Sequence, residues 1–261
     1  MMGGVSPRRR LLVVAAGVLV AAVLIFVGVR LVLSRGGDSG ERPDQGALGT
    51  VILVPGYGGS QVSLTRLAQV LTAAGRTANV VTLPEGGTGD LLKQADTVDT
   101  AVRAALDGGA PSVDVIGYSA GGVVTRLWVD RHAGATVARR IITLGSPLHG
   151  ANLAGAGAAL APGACPPACR QLAPGSDVLD RIDDEDLPAG LPWLSIWTSN
   201  DETVQPPESA VLDGAVNLQI QSICPSATVS HGALPTDPAV TAVVLAALGT
   251  APLAAPASCP V

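Results

Sequence analysis

From Thr50 onward the chain alternates short runs rich in β-branched residues with longer amphipathic stretches, and this alternation restricts the fold more than any other feature. The runs TVILVPG, NVVTL, SVDVIGY, RRIITLG, LPWLSIWTS and AVNLQIQS read as strands, and the stretches 64–74, 94–106, 120–132 and 238–248 read as helices. Strands that are nearly continuous Val, Ile and Leu are buried on both faces, as a parallel sheet with helices on either side requires. The predicted architecture is therefore α/β with a mostly parallel central sheet. One region interrupts the pattern: residues 151–190 are rich in Gly, Ala and Pro and end in the acidic run Asp183, Asp184, Glu185, Asp186. This reads as an insertion above the sheet, either a lid or an inert loop.

The amino-terminal part follows different rules. Residues 11–29 carry no charge, and as a helix they would span roughly 28 Å, close to the thickness of a bilayer's hydrocarbon core. A cleaved signal peptide would have an apolar region of about 7 to 15 residues ending in a small-residue pattern, whereas VRLVLSRGG follows here. The expectation is a retained signal anchor over 11–33, with cleavage and secretion as the alternative. Arg8, Arg9 and Arg10 precede the segment and only Arg30 and Arg35 follow closely, so the positive-inside rule puts residues 1–10 in the cytoplasm and the rest outside. Residues 34–47, polar and Gly-rich, read as a linker, leaving 48–261 as the α/β domain.

Residues 47–261 carry a net charge of about −8. With aromatics at 2% and the basic cluster confined to the extreme terminus, nucleic-acid binding is excluded. The four cysteines, Cys165, Cys169, Cys224 and Cys259, are an even count in a chain expected to be exported, which argues for disulfides. Cys165 and Cys169, separated by Pro-Pro-Ala, suit a small staple, leaving Cys224 to pair with Cys259. The competing zinc site lacks the usual C-x2-C spacing.

The segment that carries chemistry is Gly117-Tyr118-Ser119-Ala120-Gly121, where the strand VDVI runs directly into a turn and then a helix. In a chain with 32 glycines a G-x-S-x-G match alone is weak, and its context carries the argument. A strand-to-helix elbow forces its central residue into a strained conformation and pushes Ser119 out at the carboxyl end of the sheet. A serine hydroxyl needs a base to act as a nucleophile. Of the three histidines, His132 sits some 20 Å along the helix that Ser119 leads and suits a helix-end dipole partner. His149 precedes every plausible acid, which is the wrong chain order for this elbow. His231, between the last strand and the last helix, is the expected general base. A carboxylate just past a strand end and before that histidine should orient it; Asp201 fits, with Glu202 beside it as the rival. Two backbone donors should face the oxyanion: the amide of Ala120, and that of Tyr57 in the Gly-rich loop after the first strand. That loop lacks the lysine of a phosphate-binding G-x4-G-K-[ST] motif, so nucleotides are set aside. The chemistry calls for no cofactor and no metal.

Over about residues 50–249, with the motifs PGYGG, GYSAGG, SNDETV and SHG, the sequence resembles the α/β-hydrolase lipases of Gram-positive bacteria, in particular the small triacylglycerol lipases and esterases. TLGSPLHG and QLAPGSDVLDRI are similar to further segments of that family. The resemblance implies the α/β-hydrolase fold and a triad of Ser119, Asp201 and His231, with Tyr57 and Ala120 as oxyanion donors. It also implies hydrolysis of a lipid or small ester through an acyl-enzyme. Pro55 departs from the histidine that many relatives carry there, which alters how the loop is held without removing the Tyr57 amide. Two rival readings remain: an acyltransferase or hydrolase acting on cell-envelope lipids, and a catalytically inactive hydrolase-fold binding protein.

Overall fold

The computed structural model describes residues 42–260, and the predicted membrane span at 11–33 lies outside them. Among the described residues no helix is long and apolar enough to cross a membrane. The described residues contain six strands: β1 (Thr50–Val54), β2 (Ala78–Val80), β3 (Val113–Tyr118), β4 (Ala138–Leu144), β5 (Trp193–Trp197) and β6 (Val216–Gln219). They form one sheet in the order β2-β1-β3-β4-β5-β6, and every neighbouring pair is parallel.

Alternation along each strand sorts the core into two layers. Val51 and Leu53 of β1 face helix α1 (Val62–Ala73), while Ile52 and Val54 face helix α2 (Leu91–Asp107) and helix α3 (Ala120–Arg131). Asp90 caps α2 by accepting from the Leu92 amide at 2.9 Å. Three short helices, α4 (Asn152–Leu160), α5 (Pro167–Gln171) and α6 (Asp177–Asp183), fill the region read from sequence as a lid or loop. Leu172, Leu179 and Ile182 of this insertion pack into the same layer as α2 and α3. After β6 comes a helical turn, α7 (Ile220–Ile223), and then helix α8 (Pro238–Ala247), which lies on the α1 side of the sheet. Asp237 caps α8 by accepting from the amides of Ala239 and Val240, with Pro238 at its first position.

Several boundaries differ from the sequence reading; of the run NVVTL only Asn79 and Val80 pair, as part of β2. The run AVNLQIQS is not one strand: pairing stops at Gln219, because the chain turns so that Ile220 enters the core and Gln221 reaches back to bond Thr198 and Ser199. Residues 42–47, read as the end of a linker, lie on the domain. Arg42 donates to the carbonyls of Ala135 and Ala189, and Gln45 exchanges hydrogen bonds with Arg139.

Both expected disulfides are formed, Cys165–Cys169 and Cys224–Cys259. The second closes a loop of 35 residues and ties the carboxyl-terminal tail to the core, worth about 4 kcal/mol in the chain-entropy description.

At the amino ends of β3 and β4 lies a buried charged cluster. Asp114 Oδ2 accepts from Arg76 at 2.5 Å and from Arg139 at 2.7 Å. The positive charge in excess is met by main-chain carbonyls at the end of α8: Arg76 and Arg139 each donate to Leu248 O at 2.7 Å, and Arg140 donates to Ala247 O at 2.5 Å. Cations at a helix carboxyl terminus are favoured by its dipole, so this cluster joins α8 to the sheet. Asp114→Ala would leave two guanidinium groups buried without their carboxylate, and should destabilise the domain by about 3 to 5 kcal/mol in urea unfolding. A loss below about 1 kcal/mol would show that the carbonyls alone hold the arginines.

Candidate active site

Ser119 sits between β3 and α3 with φ 54° and ψ −128°, a conformation that costs a residue with a side chain on the order of 1 to 3 kcal/mol. The surrounding glycines show why the elbow has this composition. A Cβ on Gly117 would lie 2.6 Å from the Gly122 Cα; one on Gly121 would overlap the Val54 carbonyl, and one on Gly122 would overlap Ser146 Oγ. Helix α3 can therefore press against β1 and β4 only through bare backbone, and that closeness is what bends the chain at Ser119.

The structure brings the three predicted side chains together. His231 Nε2 is 3.0 Å from Ser119 Oγ, and His231 Nδ1 is 2.6 Å from Asp201 Oδ2. All three are buried. Asp201 Oδ1 accepts from the amides of Thr203 at 2.9 Å and Val204 at 2.7 Å, so the turn after β5 fixes the carboxylate. With Nδ1–H donated to Asp201, the other ring nitrogen is left to accept from the serine hydroxyl.

Ala120 is the first residue of α3, so its amide points out of a helix amino terminus beside Ser119. The loop after β1 lies against the same spot, since a Cβ on Gly56 would be 2.8 Å from Ser119 Cβ. Tyr57, the next residue, lines one cleft together with Ser119 and Ala120. Neither the Tyr57 nor the Ala120 amide has a protein acceptor among the described residues. The cleft, about 170 Å³, is walled largely by Pro147, Ala151, Leu153, Leu172 and Val204, an apolar lining with Ser119 at its base.

The remaining histidines face elsewhere. His132 ends α3 with Nε2 2.9 Å from Asp96 Oδ1, and its ring adds to the causes that lower the Asp96 carboxyl from its ordinary value. His149 bonds Asp183 through Nδ1 at 2.8 Å and the Val211 carbonyl through Nε2 at 2.9 Å. Glu202, the rival acid, does not touch the imidazole; its Oε2 accepts from the His231 main-chain amide at 3.1 Å.

The sequence profile of the PGAP1-like alpha/beta domain matches residues 81–160, which include the elbow. No curated protein matches the sequence. Among solved structures, Aspergillus fumigatus lipase B superposes with a TM-score of 0.65 at 22% identity, over 78% of this chain and 53% of that one. This chain thus spans about half the length of that lipase. The mature form of Bacillus licheniformis lipase BlEst2 gives a TM-score of 0.65 at 20% identity, covering 82% of this chain and 96% of its own. A structure described with LipS and LipT, two metagenome-derived lipolytic enzymes, gives 0.60 at 20% identity, over 77% and 95%. The chain has the α/β-hydrolase fold.

In this structure two features escaped the sequence reading. Gly145, in the left-handed region at φ 56°, lies against the relay: a Cβ there would be 3.2 Å from His231 Nδ1 and 3.3 Å from Asp201 Oδ2. A glycine closing a buried strand in TLGSP was the available signal. Tyr118 stacks obliquely on His231, with ring centroids 5.3 Å apart and planes at 32°. Burial, then the charges of Asp201 and Glu202, push its phenol up to about 12, so it remains a hydrogen-bond donor across the neutral range. Because the elbow depends on bare backbone, Gly121→Ala should push α3 off β1 and displace both Ser119 and the Ala120 amide. The expected result is a stability loss of about 3 kcal/mol and at least a roughly hundred-fold fall in the rate of serine modification by a fluorophosphonate probe. Wild-type labelling by this variant would contradict the account of the elbow.

Proposed function

We propose that this chain is a serine carboxylic-ester hydrolase of the lipase and esterase kind. The observation that carries the reading is the continuous relay from Asp201 through His231 to Ser119, opening on an apolar cleft. In this reading His231 takes the hydroxyl proton as Ser119 Oγ attacks the ester carbonyl carbon. The carbonyl oxygen becomes an oxyanion held by the amides of Tyr57 and Ala120. Collapse of that tetrahedral species breaks the bond to the alcohol, which leaves with the proton from His231. Water then attacks the acyl-enzyme, again giving its proton to His231, and the acid is released as Ser119 recovers its hydrogen. Asp201 holds the ring and stabilises the imidazolium in both halves of the cycle.

Superposition on lipases from a fungus and a bacillus supports a lipid or small ester as substrate, and the apolar cleft suits an acyl chain. The uncharged segment at 11–29 supports attachment to the cell membrane with the catalytic domain outside. An inactive binding protein would have no use for a relay with each hydrogen bond in place.

The test is hydrolysis of p-nitrophenyl esters from acetyl to palmitoyl by the purified chain and its Ser119→Ala variant. Wild-type turnover is expected, falling roughly ten-thousand-fold or more in the variant, with the chain-length profile separating esterase from lipase. Turnover retained by Ser119→Ala would reject the assignment.

A further inference from the structure

The imidazole of His231 is held by Ser119 and Asp201, but its main chain is held by their immediate sequence neighbours. Glu202, next to Asp201, accepts from the His231 N–H at 3.1 Å. Tyr118, next to Ser119, donates its hydroxyl to the His231 carbonyl at 3.3 Å and lays its ring against the imidazole. Both polar groups of one residue's backbone are thus gripped from two different strands' ends, β3 and β5. We propose that Glu202 and Tyr118 are positioning residues, which fix the His231 backbone so that Nε2 stays within reach of Ser119 Oγ throughout the acyl-transfer cycle. This rests on the ester-hydrolase reading.

Further observations support the assignment. His231 begins a single 3-10 turn, His231–Ala233, rather than a long element, so its place is set by what binds it locally. The imidazole is two torsions from that backbone, and a displacement of about 1 Å at a reacting group can cost roughly a hundred-fold in rate. Glu202 itself is exposed and packs no core, so its one structural tie among the described residues is to the base. Tyr118 keeps its proton because burial disfavours the phenolate, which leaves the donor in place.

Neither residue lines the cleft, so their loss should lower kcat and leave KM alone. The experiment compares wild type, Glu202→Ala, Glu202→Gln and Tyr118→Phe in the full chain. Steady-state hydrolysis of p-nitrophenyl butyrate and the rate of fluorophosphonate labelling are measured, with thermal unfolding as the check on folding. Glu202→Ala should lose roughly ten-fold in kcat with KM within about two-fold, and labelling should slow in parallel. Glu202→Gln should recover most of that loss, because the amide oxygen can accept the same N–H. Tyr118→Phe keeps the ring and should lose about five-fold. Wild-type kcat in Glu202→Ala, a loss expressed as raised KM, or Gln no better than Ala would each overturn the proposal while leaving an active wild type and the ester-hydrolase reading intact. A wild type that neither hydrolyses ester nor labels would overturn both.

Discussion

The approach of helix α3 to β1 and β4 is so close that side chains at three positions would collide with backbone or with Ser146, and the rest of the site follows from that contact. Because Gly117, Gly121 and Gly122 leave bare backbone at the crossing, the chain reverses within one residue and Ser119 occupies a strained conformation. The strain is offset by what the bend achieves: the hydroxyl stands free at the carboxyl end of the sheet, and the first amide of α3 points outward beside it. A longer turn would relax Ser119 and lose the second of these.

The two ends of the sheet are built on opposite electrostatic terms. At the carboxyl end a carboxylate, an imidazole and a hydroxyl line up in a short chain of hydrogen bonds beside an apolar cleft. At the amino end Asp114 and three arginines are buried together, and main-chain carbonyls at the end of α8 supply what one carboxylate cannot. The second arrangement holds α8, and the loop carrying His231 leads directly into α8. The position of His231 therefore depends on packing at the far end of the sheet as well as on its own contacts. Over the cleft the insertion contributes Leu153, Ala154 and Leu172, so the short helix α4 and the end of α5 form one apolar wall, with the Cys165–Cys169 bond holding the start of α5 and Gly157 packed against Cys169 Sγ.

The strands and helices were legible because their residues are buried in patterns of fixed period, and the elbow because glycine is the one residue that permits the crossing. His231 and Asp201 could be selected because chain order and strand ends leave few candidates. Three kinds of feature could not be read this way. The split of AVNLQIQS into β6 and α7 turns on where Gln221 finds partners, a tertiary matter that propensity does not register. Residues 42–47 look like a linker by composition, yet Arg42 and Gln45 meet carbonyls that are exposed only once β4 is in place. The grip of Tyr118 and Glu202 on His231 joins residues 113 and 29 positions apart in sequence, and nothing local marks either as a partner of that histidine.

The central claim is that Ser119 is a nucleophile because His231 and Asp201 make it one. The most direct measurement is treatment of the chain with a fluorophosphonate, followed by intact mass and peptide mapping, alongside the His231→Ala variant. One adduct per chain, mapped to Ser119 and lost in the variant, is the result expected. An adduct on a different serine, no adduct at all, or equal labelling without His231 would contradict it.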